Sequence, residues 1–450
     1  MNSIGSTSDG PSDSNGDRIR RKWMVALCDS VKMLSLVGLN EKDEETWALA
    51  SHLLNGEKNV NKLLKYVSPS QSKKDMGKAL SEISKLAPQK PFPDSQKRSE
   101  SKFTFMDLFA GIGGFHIALT KSGGECVFAS EIDSSAKLTY AMNFGVVPFG
   151  DIRRFTRNVD GEPLSIREIR ETTPKADLIA GGFPCQPFSK AGVSSRNHHG
   201  IAHGLLCEAQ GTLFEDILLL ARAHKPKILL LENVANLSVH DGGNTIRVIR
   251  SEIKKAGYEI FPRWDDRLRN RAWGVIDSQG VVAQRRRRVY MVCVRKDLIP
   301  KYGEFELPDF TVPASPFRLR DVLAMDDISE REKIRKYAIS SNLWKSHLKR
   351  ERAHIAKGNG FRIGIMNNLD GPAPTLVARY FKDGKDCLIP NKFDGGPPRM
   401  LTPRECAFLQ TFPKDFWIPE FKTPAYKQFG NAITVKIAEK IARKIAKQYF

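Results

Sequence analysis

A cysteine bracketed by prolines carries the strongest chemical signal in the chain, within Gly181-Gly182-Phe183-Pro184-Cys185-Gln186-Pro187-Phe188-Ser189. A free thiol titrates near ~8.5, so a nucleophilic role needs nearby positive charge or helix-terminal N–H groups to favour the thiolate. The two prolines fix backbone φ and stiffen the loop that would hold the sulfur. A second signal, Leu229-Leu230-Leu231-Glu232-Asn233-Val234, is an apolar run ending in a carboxylate. In a dry pocket a carboxylate there can share or give a proton and offset charge that builds on an attacked ring. The third is Gln284-Arg285-Arg286-Arg287-Arg288 ahead of the apolar run VYMVCV. Strand residues alternate faces, so Arg286 and Arg288 share one side. If that side is the pocket, both can bind acceptors there. Each signal taken singly has a blander alternative: a small buried hydrophobe, a salt-bridged acid, a solvated basic run.

Asp107-Leu108-Phe109-Ala110-Gly111-Ile112-Gly113-Gly114-Phe115 sits where a strand should turn into a helix. Glycines there let the backbone approach a ligand, and the helix start presents free N–H groups. The run departs from the dinucleotide fingerprint, because the third glycine would fall at His116. Glu131 ends the next strand roughly 20 residues on, where a carboxylate can accept both ribose hydroxyls. A further acid follows in Gly150-Asp151-Ile152. This layout suits an adenosyl cofactor; the glycine turn alone is equally compatible with a purely structural bend.

Positioning these groups requires a sheet. Past Lys102 the segments FTFMDLFA, ECVFASEID, ADLIAGGFP, KILLLENVA and RRVYMVCV alternate with amphipathic stretches. That alternation predicts a doubly wound α/β domain with a mostly parallel sheet, Cys185 and Glu232 both falling at carboxyl ends of strands, where open α/β sheets bind ligands. The expected domain runs over 103–295. From 296 to 398 the rhythm is lost, and the block reads as a separate irregular lobe. Residues 399–450 complete the sheet domain, with a last helix whose stripe is Val435, Ile437, Ala438, Ile441 and Ile445.

Ahead of it, residues 1–16 are rich in Ser, Gly, Asp and Asn and are expected to be a disordered tail. Trp23, Leu27, Val31 and Leu34, then Trp47, Leu53 and Leu54, then Leu63, Leu64 and Val67 recur at helical spacing and predict a small helical domain over 17–67. Residues 68–102 read as a linker. The formal net charge of +20 favours phosphate backbones or anionic membranes as partners. No run approaches a membrane span or a signal peptide, so the expected location is the cytoplasm. Seven cysteines scattered singly fit a reducing compartment.

In order and by residue, DLFAGIGGF, GGFPCQPFS, ENV, QRRRRVYMV and the closing Gly430-Asn431-Ala432 resemble the motif series of the DNA cytosine-5 methyltransferases, from about Phe103 to the C-terminus. The resemblance implies a Rossmann-like fold that uses S-adenosylmethionine, with a target recognition domain at about 296–398. Cys185 would be the nucleophile toward C6, Glu232 the group at ring nitrogen N3, and Arg288 the contact to the cytosine carbonyl, with Arg286 beside them. Phe109, Gly111, Ile112, Gly113, Gly114, Glu131, Ile132, Asp151, Ile152, Pro184, Leu213, Asn431 and Ala432 would form the donor site. Ala432 departs from the family's usual serine; a backbone contact survives that change. The target base must leave the duplex, at a cost of a few kcal/mol. Ser189 and Arg196, in the stretch Ser189 to His203, are expected to contact DNA as a closing loop.

In the expected recognition domain, Arg379 would read a guanine edge and Lys382 hold a phosphate, with Tyr380 between them. That segment, HDGGNT at 240–245 and RMLTPREC at 399–406 are similar to Dcm-like methylases of sites beginning with CC, which implies a short palindrome starting CC in double-stranded DNA and restriction-modification or Dcm-type methylation. The helical domain, with its basic DRIRRKWM, would bind the protein's own promoter or serve as a packing or dimerising appendage. A monomer is expected on DNA. Two rivals stand beside this reading: an RNA cytosine methyltransferase, and a non-enzymatic DNA-binding regulator on the same fold.

Overall fold

The computed structural model describes residues 15–55, 79, 81–86, 101–184, 212–263, 273–313, 316–358, 362–383 and 385–450. Cys185, Ser189 and Arg196, the third helical run at Leu63 to Val67, and nearly all of the expected tail lie outside them. The chain divides into two compact units. One is Met1–Ser95 with Tyr140–Val147, and the other is Gln96–Thr139 with Pro148–Phe450.

In the first unit, helix α1 (Asn15–Leu36) buries Trp23, Leu27, Val31 and Leu34 on one stripe, and helix α2 (Glu44–Leu54) packs against it. Asp43 caps α2 by accepting from the amide of Glu45. Ser51 and Asn55 then tie α2 to the amide of Val147 and the carbonyl of Gly145, at 2.9 and 2.6 Å. The expected linker is not wholly irregular, since residues 81–85 are helical and Ile83 is fully buried. Leu80, Ile83 and Leu86, three residues apart among lysines and serines, were too short a run to mark that turn.

The second unit is built on a sheet in the order β2-β1-β3-β4-β7-β5, with β6 paired to β7. Its strands are β1 (Phe103–Leu108), β2 (Gly124–Ser130), β3 (Leu178–Gly182), β4 (Ile228–Val234), β5 (Tyr258–Phe261), β6 (Val275–Asp277) and β7 (Arg287–Arg295). β1 to β4 are mutually parallel. β7 runs antiparallel to β4, β5 and β6, and is therefore the one reversed strand among those described. The sheet is α/β as expected. Its reversed strand and the two short strands β5 and β6 were not read from the sequence, because strand direction depends on the connections and three or four residues carry no periodicity.

Helices cover the sheet. The described helices include α3 (Gly114–Thr120), α4 (Ser134–Phe144), α5 (Thr212–His224), α6 (Asn244–Lys255), α7 (Ser341–Ala356), α8 (Pro403–Leu409), α9 (Lys422–Asn431) and α10 (Val435–Tyr449). The predicted stripe of α10 is buried, and α10 packs on α3. Thr402 and Glu405 form a capping box at the start of α8, with proline at its first position. None of the helices among the described residues is long and apolar enough to cross a membrane.

Candidate active site

The β1–α3 turn is bent by three left-handed residues: Phe109 (φ 53°), Gly111 (φ 54°) and Gly113 (φ 86°). A non-glycine residue with positive φ is uncommon and costs strain, which Phe109 bears at the end of β1. The bend aims the Gly111 amide at Glu131, which accepts it at 2.8 Å and accepts the Asp133 amide at 2.7 Å through its other oxygen. Burial pushes the Glu131 carboxyl up, while those two amides pull it back. Each oxygen keeps a lone pair for another donor. Gly114 stands against α10's entry, where an added Cβ would lie 2.6 Å from Ile433.

Phe109, Gly111, Gly114 and Glu131 line a cavity of about 490 Å³ with Ile112, Ile132, Asp151, Ile152, Pro184, Leu213, Asn431 and Ala432. Arg153 grips Asp151 through Nε at 2.9 Å and holds its carboxyl below the ordinary range, against the burial that would raise it. Asp133, opposed in the same way by burial, is kept low by Lys427 at 2.5 Å and by the amides of Ser135 and Ala136. Cavities of this size commonly take a drug-sized ligand. The donor set is two carboxylates for hydroxyls or an amine, an aromatic ring and apolar walls, and it fits an adenosyl group.

At the other end of the cavity, parallel pairing sets Gly182 opposite Glu232, so the exits of β3 and β4 lie side by side. Glu232 Oε2 lies 3.4 Å from where a Gly182 Cβ would sit. Asn233 donates to the carbonyl of Phe183 at 3.0 Å and so ties the two exits together one residue before Pro184. Antiparallel pairing brings the start of β7 to the same edge, with Val234 opposite Arg288. Arg288 Nε meets Glu232 Oε1 at 3.2 Å. Burial drives the Glu232 carboxyl up despite Arg288 and Arg286. A buried carboxyl beside a guanidinium can share a proton with a bound group and also orient an acceptor.

Several expected residues fall elsewhere. Gly113 caps α3 without lining the cavity. Arg286 shares Arg288's face but is almost fully buried and does not reach the cavity. It donates to the carbonyls of Leu376, Gly430 and Ala432 at 2.8, 3.1 and 2.7 Å. Burial, then Arg288, brings its guanidinium down to about 9, so it stays charged at neutral pH. Its guanidinium thus ties together three backbone carbonyls. Tyr380 is likewise buried, donating to the Cys387 carbonyl and accepting from the Leu401 amide. Successive residues of a helix turn by about 100°, so the neighbour of an exposed Arg379 faces the core. Arg379 and Lys382 are exposed.

Asp133, Asn233, Lys427 and Gln428 line the cavity and were not singled out from the sequence. Asn233 and Asp133 lay one and two residues from Glu232 and Glu131, close enough to be found. Lys427 had no signal beyond its place ahead of Gly430. None of the five cysteines among the described residues lines the cavity. Burial raises four of them, Cys28, Cys293, Cys387 and Cys406, taking Cys387 to about 12, so these are not thiolates at neutral pH.

Solved structures share the fold. The Dnmt2 methyltransferase of S. pombe superposes with a TM-score of 0.53 over 77% of this chain and 100% of its own, at 18% identity. Dnmt2 of Spodoptera frugiperda gives 0.51 over 75% and 99%, at 21% identity. In sequence, the DNA-cytosine methyltransferase of Escherichia coli K12 is 37% identical over 371 residues, covering 76% of this chain and 77% of the relative. The type II methyltransferase M.SsoII of Shigella sonnei is 34% identical over 357 residues, covering 79% and 82%. Residues 103–447, which carry every element of the cavity, match the C-5 cytosine-specific DNA methylases. The chain belongs to that family and is a DNA-cytosine methyltransferase.

Proposed function

We propose that the cavity binds S-adenosylmethionine and that the chain methylates C5 of a cytosine turned out of a short duplex site beginning CC. The observation that carries this reading is the partly buried Glu232–Arg288 pair, which lines the cavity beside the β3 exit that leads into Cys185. When bound, the cofactor supplies an electrophilic methyl group. Glu131 would hold the ribose hydroxyls, and Phe109, Ile132, Asp151, Ile152, Leu213 and Asn431 the rest of the molecule.

Cytosine C5 is a poor nucleophile in the intact ring. Addition of the Cys185 thiolate to C6 forms an S–C6 bond and moves electron density onto C5. Glu232 holds a proton at N3 as that density builds, and Arg288 holds the ring carbonyl. Once C5 is methylated, a base takes its proton, the C6–S bond breaks, and the C5=C6 bond and the thiolate are restored. Extruding the base costs a few kcal/mol, which the cavity wall and the loop beyond Cys185 must offset. The protein would act as a monomer on DNA, with the exposed Arg18, Arg21 and Lys22 of α1 giving the first unit a face for promoter DNA.

A duplex carrying 5-fluorocytosine tests the chemistry, because fluorine blocks the proton loss and leaves the enzyme attached. With the methyl donor present, the unmutated chain should give a denaturation-resistant adduct and Cys185→Ser should give none. No adduct with either protein, while both bind the duplex, would sink the covalent reading.

A further inference from the structure

Helix α7 presents a line of cations that no described residue neutralises. Residues 341–357 hold five cations, Lys345, Lys349, Arg350, Arg352 and Lys357, against the one acid Glu351. At about 100° per residue, Lys345, Lys349 and Arg352 fall on one narrow stripe, with Lys345 and Lys349 about 6 Å apart along the axis. All three are exposed. The flank beside that stripe is anchored: Trp344 and Leu348 pack on Ile339, Ile363 and Leu388, and His347 is buried. Glu351 turns to that side, where it accepts the Ile363 amide at 2.8 Å and is drawn away from the stripe.

Surface cations in neighbouring segments are treated differently. Arg318 meets Asp321 at 2.8 Å, Arg320 meets Asp370 at 2.6 Å and Lys336 meets Glu332 at 2.7 Å. Among the described residues no acid lies within ion-pair distance of Lys345, Lys349 or Arg352. Holding three like charges on one helix face costs free energy in the folded protein, and an external polyanion would reverse that cost. The helix is also joined to the expected base-reading segment: Leu388 of its core follows Cys387, whose carbonyl accepts the Tyr380 hydroxyl between Arg379 and Lys382.

We propose that α7 is a phosphate-binding rail for the DNA duplex outside the bases being read. It supplies affinity without sequence information, because a phosphate carries none. The inference rests on DNA being the substrate and goes beyond the active-site reading by assigning a second contact surface. A helix with a rigid apolar flank and a charged front holds its cations at fixed spacing, so little backbone ordering is lost on binding.

The test is the salt dependence of binding in Lys345→Gln/Lys349→Gln/Arg352→Gln, followed by fluorescence anisotropy on two duplexes of equal length, one methylated by the unmutated chain and one not. Three lost phosphate contacts should reduce the log–log salt slope by about 2.7, so between about 50 and 200 mM salt the unmutated chain should lose roughly 40-fold more affinity than the variant. The reduction should be equal on both duplexes, and Lys345→Arg/Lys349→Arg should keep the original slope. An unchanged slope in the triple variant overturns the proposal, as does a loss confined to the methylated duplex, which would mean base reading. Circular dichroism reports whether the variant is folded. Methylation by the unmutated chain reports separately on the substrate assignment.

Discussion

Arg288 in β7 and Arg286 just ahead of it meet different fates because they sit at different depths. Arg288 reaches Glu232 and the cavity, whereas Arg286 spends its guanidinium on three carbonyls. Period-two alternation settled the shared side but not the depth, which depends on the Leu376, Gly430 and Ala432 backbone arriving from far along the chain. A second buried charge makes a pH prediction. Asp216 accepts from Thr156 and from Arg157, each at 2.8 Å, yet burial outweighs both and pushes its carboxyl up to about 6. The folded state therefore binds this proton more tightly than the unfolded chain. Its contribution to stability is full below the ordinary value of 3.8 and is lost as pH rises to about 6. At ~1.4 kcal/mol per unit, the unmutated chain should lose about 2 kcal/mol relative to Asp216→Asn between pH 4 and 7. Urea unfolding of both proteins across that range checks it; parallel stability curves would refute the assignment.

At the scale of elements, the closest backbone approach in the site is between α9 and the stretch Leu376–Ala378. A Cβ on Gly430 would lie 2.4 Å from both the Ala378 nitrogen and the Val377 carbonyl carbon, so backbone would have to move. Gly430→Ala should cost 1–3 kcal/mol, as overpacking does. It should also weaken methyl-donor binding measured by calorimetry, since Gly430 and Ala432 line the cavity and their carbonyls hold Arg286. Unaltered melting and donor affinity together would show that the segment can yield. The strands that place the site were readable because β1, β3, β4 and β7 are apolar runs ending or beginning in chemically distinctive residues. Gly111 and Gly114 could be read as a ligand turn, but the reason for Gly430 could not, because its partner stretch lies 52 residues away in the chain. Arg379 and Lys382 were read as surface groups from their charge, and Tyr380 between them was misjudged because a single helical turn gives no period to count.

For the whole second unit, a buried charge cluster joins residues 326–337 to the start of α8. Arg399, fully buried, pairs with Glu405 at 2.8 Å and with Glu330 at 2.5 Å, and Lys333 reaches Glu405 at 3.0 Å. Removing one partner of such a cluster strands a buried charge, so Arg399→Met should cost about 3–5 kcal/mol in denaturant unfolding. A loss below about 1 kcal/mol would mean that the remaining lysine satisfies both acids. The similarity of RMLTPREC to known methylases was visible in the sequence, while its use as a charge lock was not, because Glu330 and Lys333 lie some 70 residues earlier. The reversed strand carries a last consequence. β7 begins at the reacting edge and ends at the far one, where the Arg295 amide bonds the Lys227 carbonyl at 3.0 Å. The chain that follows leaves from the sheet's back edge and returns at Ala373 and Leu376, which bond to Ala283 and Gln284. Both moorings fasten the stretch to residues of the sheet's own turns, so the aim of Glu232 and Arg288 is set by β4 and β7 and not by the length of what lies between.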